Sequence, residues 1–65
     1  MNDTDMEKLE FLVDEYYIPE LVASLSAVCR LRADDIRGTD KKVAKKFETY
    51  SAILNDARTK IDAAS

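Results

Sequence analysis

Histidine and tryptophan are absent from this 65-residue chain, and cysteine, proline and glycine occur once each. With no His and a lone Cys29 there is no zinc-type ligand set, and no intrachain disulfide can close. Cys29 also lacks a histidine to act as its base, so its place beside Leu25 and Val28 reads as a small buried hydrophobe and not as a nucleophile. Missing disulfide staples point to a reducing, cytoplasmic setting. The longest uncharged stretch, Leu21 to Cys29, is nine residues, too short for a membrane span, and residues 1–10 are acidic where a signal peptide would be basic.

Length excludes more. A chain of this size forms one small domain, residues 1–65, and buries only about 60% of the surface its unfolded form exposes. An enclosed active site would compete with the core for the same few side chains, so neither catalysis nor a cofactor is expected. The paired carboxylates Asp14-Glu15 and Asp34-Asp35 do not change this. Neighbours on a helix point about 100° apart, so neither pair converges on one metal ion.

What is present is helical. Apolar residues make up 46% of the chain and charged ones 35%, with no period-two alternation. Thr4-Asp5-Met6-Glu7 matches a capping box and predicts a first helix from Thr4 to about Tyr16. Its stripe is Met6, Leu9, Val13, Tyr16 and Tyr17, and Phe11 falls outside it, free for a partner to bury. Pro19 predicts a break near Tyr17–Ile18 and the start of a second helix that ends at Arg37, with Gly38 as a left-handed terminus. The seam expected for that helix is Ile18, Val22, Leu25, Cys29, Arg32 and Ile36. Thr39 or Asp40 caps a third helix from Lys41 to Ser65, with a heptad seam of Val43, Phe47, Tyr50, Leu54, Ala57, Ile61 and Ala64. The three-residue turn makes helices two and three an antiparallel hairpin with Leu25 facing Phe47, and the first helix lies across it or along one groove. The fold expected is therefore all-α, three helices completed by homodimerisation, because the third helix outruns the second by roughly 8 Å at about 1.5 Å per residue.

Charge is segregated along the chain. The net −3 divides into −6 over residues 1–20, +4 over residues 30–46 and −1 over residues 47–65. Asp14, Glu15 and Glu20 beside the interhelix break are expected to neutralise the basic turn within the protein or its dimer. Lys41, Lys42, Lys45 and Lys46 stand near the positive end of a helix dipole, which is locally unfavourable and compatible with an anionic partner. Together with Arg37 and Phe11 they are the candidate partner-binding residues. The helix-turn-helix outline lacks Arg, Asn or Gln suited to reading bases after the turn, so nucleic acid is the alternative partner and protein the first.

At Leu12-Val13-Asp14-Glu15-Tyr16, Ser24-Leu25-Ser26-Ala27-Val28-Cys29, Ala33-Asp34-Asp35-Ile36-Arg37 and Val43-Ala44-Lys45-Lys46-Phe47 the chain resembles a group of very short helical proteins of bacteria, cyanobacteria and phages. It carries Asp35 where that group commonly has His, and Phe47 where Trp is common. The group has no assigned activity, so the resemblance implies a small all-α fold in a bacterial or phage setting and transfers no functional residue. The function expected is that of a cytoplasmic protein–protein interaction module, such as a phage-encoded inhibitor or host-takeover protein, or an accessory subunit of a larger assembly.

Overall fold

The computed structural model describes residues 1–65 as three helices: α1 (Asp3–Glu15), α2 (Ile18–Ile36) and α3 (Lys41–Ala64). The first helix is capped two residues earlier than its capping box implies. Asn2 is the N-cap, its side-chain oxygen accepting from the Asp5 amide at 2.8 Å, so Thr4 lies inside the first turn. Asn is at least as good a cap as Thr, and Asp3 and Asp5 still sit at the positive end of the dipole. Tyr16 and Tyr17 are both extended, and the helix that follows carries Pro19 in its first turn, where no amide is needed.

The α2–α3 turn is closed without left-handed backbone. Gly38 does not take a positive φ. The Thr39 and Asp40 amides instead donate to the Ile36 carbonyl at 2.9 and 2.7 Å, and Asp40 caps α3 by accepting from the Val43 amide at 3.1 Å. Helices α2 and α3 pack as the expected hairpin. Their contact line is rotated from the expected one. Val22, Cys29 and Ile36 belong to it, but Ser26 and Ala33 are buried where Leu25 and Arg32 were expected, and both of those are exposed. On α3 the buried residues are Ala44 and Ser51, while Tyr50 and Ala64 are exposed.

Small side chains explain the rotation. Ser26 Oγ donates to the Ser51 carbonyl and meets Ser51 Oγ, both at 2.8 Å. A hydroxyl on Cβ reaches the backbone of the next helix only when the axes run at the short end of about 8–10 Å. The Ser26–Ser51 register places Ala33 opposite Ala44 one heptad along, and Ala33 is 0% exposed. Leu25 consequently does not face Phe47.

The first helix lies neither across the hairpin nor along one of its grooves. No Cα of α1 comes within 8 Å of α3, and none of its residues is buried. Extents of 37 × 31 × 14 Å reflect this, because two helices side by side are only about 14 Å wide and the remaining breadth is α1 projecting as an arm. The Cα radius of gyration is 13.5 Å, against about 10.7 Å for a compact 65-residue domain.

Candidate functional site

The close-packed Ser/Ala seam leaves several large apolar side chains outside it. Leu25 (52% exposed), Tyr50 and Ile53 (60%) flank the contact line and, with Cys29 and Leu54, line an entirely apolar groove of about 340 Å³ on one side of the hairpin. Tyr50 is braced by Phe47, whose ring meets it edge-on with centroids 6.0 Å apart. Cys29 is a free, buried thiol at the groove floor. Val28 adjoins this face and is exposed as well.

Helix α1 offers a second apolar surface. Met6, Leu9 and Val13 lie in rows of three and four residues, and Leu12, Tyr16 and Phe11 widen the surface; all six are exposed. Phe11 is exposed, but so is the stripe expected to be buried, so its position off the stripe does not set it apart. The signal that sequence reading missed is the pair of small-residue heptads, Ser26/Ala33 and Ala44/Ser51. Those four residues mark a close helix contact and displace Leu25 and Tyr50 from core to surface.

The opposite side of the hairpin is polar. Arg37, just beyond α2, bridges Asp34 at 2.8 Å and Glu48 of α3, so it is engaged within the fold. Its guanidinium pKa is raised above the ordinary value by the hydrogen bonds it donates to Glu48 and Asp34. Arg30 joins these three in a polar notch.

Lys41, Lys42, Lys45 and Lys46 are exposed and form no ion pair within 4 Å. The expected neutralisation by Asp14, Glu15 and Glu20 does not occur within the chain. Asp14 and Glu15 end α1 and Glu20 lies in the first turn of α2, whereas the lysines lie beyond its far end, and the 19 residues of α2 span about 28 Å. No group of three or more His, Cys, Asp or Glu is placed to hold a metal ion, and no helix is long and apolar enough to cross a membrane. Comparisons with protein-family models, curated proteins and solved structures gave no match.

Proposed function

We propose that the chain is a protein-binding module that works as a homodimer in the cytoplasm, without catalysis or cofactor, as an inhibitor or host-takeover protein or as an accessory subunit of a larger assembly. One observation carries the reading: no large apolar side chain is fully buried, many are exposed, and the largest fully buried side chain is that of Ser51. The accessible surface is 5294 Å², whereas a folded monomer of this mass exposes about 4,200 Å². The excess of roughly 1,100 Å² is of the order that one partner contributes to a stable interface, about 800 Å². Contiguous exposed apolar surface on so small a chain marks an interaction site.

Sedimentation equilibrium should give twice the chain mass at micromolar concentration, and a monomer would remove the homodimer. For the external partner, a photo-crosslinker at Phe11 in living cells should yield a discrete adduct that contains a different protein. Adducts of the chain with itself alone would remove that partner.

The four unpaired lysines at the turn end of the hairpin favour a second reading, a nucleic-acid-associated protein. Binding to unrelated DNA and RNA sequences, with an affinity that falls steeply as salt rises, is its signature, since each neutralised phosphate releases counterions.

A further inference from the structure

We propose that the apolar groove of the hairpin receives α1 of a second copy of this chain, and that the exchange is reciprocal. This rests on the homodimer reading and specifies its geometry. Two surfaces on the same chain lack partners: the stripe of α1 and the groove formed by Leu25, Cys29, Tyr50, Ile53 and Leu54. Each copy supplies one of each, so a two-fold pair satisfies all four surfaces at once and the assembly closes.

Charge fixes the occupant and its direction. Arg32 stands four residues beyond Val28 and seven beyond Leu25, and Lys46 stands four before Tyr50 and seven before Ile53. Both therefore continue the rows of the groove face toward the turn. That face is apolar in its middle and basic at its turn end. The first half of α1 matches it, with Asp3 and Asp5 in its first turn followed by Met6, Leu9 and Val13. Leu9 lies four residues after Asp5, as Tyr50 lies four after Lys46, which is about 6 Å in each helix. Laying α1 parallel to the other copy's α3 with Leu9 over Tyr50 brings Asp5 beside Lys46. Within one chain the Tyr16–Tyr17 junction directs α1 away, both residues being extended, and short hinges of this kind favour exchange of the arm between copies.

The test uses full-length chains carrying Cys29→Ser, one with Leu9→Cys and one with Tyr50→Cys, mixed in a thiol–disulfide buffer. The interchain bond should form roughly a hundredfold faster than between Leu9→Cys and Ala27→Cys chains, because thiols held in one complex meet at about millimolar effective concentration. Ala27 serves as the control because it belongs to the polar side with Arg30 and Asn55. A dimer in sedimentation that lacks this bond overturns the arrangement and leaves the homodimer standing, whereas a monomer overturns both. A chain carrying both Leu9→Cys and Tyr50→Cys that closes on itself while monomeric shows α1 folded back on its own hairpin, which also overturns the proposal. Native Cys29 in the unaltered chain gives an independent reading. Its labelling by a bulky thiol reagent should slow as chain concentration rises through the association midpoint, and a rate independent of concentration counts against an α1 in the groove.

Discussion

Ser26 and Ser51 face each other at the centre of the α2–α3 contact, with Ser26 Oγ 2.8 Å from both the carbonyl and the hydroxyl of Ser51. One proton arrangement satisfies the pair: Ser26 donates to the carbonyl and accepts from the Ser51 hydroxyl. No buried side-chain polar atom in the protein is left without a partner. Ser26→Ala should therefore cost about 0.5–1.5 kcal/mol in denaturant unfolding, while the double variant Ser26→Ala/Ser51→Ala should come back close to wild type, because removing both partners strands neither. Strictly additive losses in the double variant would mean the two hydroxyls act separately.

Ala33 has no exposed surface and sits where the helices approach closely. Ala33→Leu should lower stability by about 1–3 kcal/mol through overpacking. By contrast, Leu25→Ala should leave the hairpin formed and weaken association, since Leu25 is exposed on the groove and makes no part of the seam. Circular dichroism melts at matched dilution together with sedimentation separate the two effects. An unchanged melt for Ala33→Leu would return the seam to Leu25 and Arg32.

Gly38 has ordinary negative backbone geometry, and a Cβ added there meets nothing within 4 Å. Gly38→Ala should thus stabilise the protein by about 0.4–1 kcal/mol by restricting the unfolded chain. A loss of that size in thermal or urea unfolding would reveal a left-handed turn.

Arg37 ties Asp34 to Glu48 beside the turn of the hairpin, with both ends of the clasp about half exposed. Glu48→Gln should lower the melting temperature slightly at low ionic strength, and the difference from wild type should vanish in high salt, as screening predicts for exposed pairs. The folded state raises the Arg37 pKa, chiefly through its hydrogen bonds to Glu48 and Asp34, so the stability it contributes is fully present below the ordinary arginine range and is lost only in strong alkali, as pH rises through the raised folded value. Melts between neutral and mildly alkaline pH should accordingly show no step from this group.

The all-α class, the two breaks and the hairpin were legible in the sequence because they depend on strong local signals: Pro19, the Asp40 cap, and an α3 free of Gly and Pro. The overhang of α3 was legible too. It exceeds α2 by five residues, about 7.5 Å. The seam was not. Hydrophobic periodicity follows the largest side chains, and here Leu25 and Tyr50 carry the period while Ser26, Ala33, Ala44 and Ser51 make the contact. Two adjacent arcs of α2 share Val22, Cys29 and Ile36, so the same pattern fits either, and only the backbone distance between helices chooses the arc with small residues. The place of α1 was equally hidden, because an amphipathic stripe states that a surface is to be covered without stating which copy covers it.

A helix of 13 residues without a buried side chain has a further consequence. Isolated helices below about 12–15 residues are marginal in water, so the order of α1 depends on what rests against it. When that neighbour is another copy, shape becomes a function of abundance: a sparsely expressed chain has a frayed amino-terminal arm open to proteases, and an abundant one has a folded arm. Under the proposed exchange, synthesis rate would set both the number of molecules and the fraction of each that is ordered.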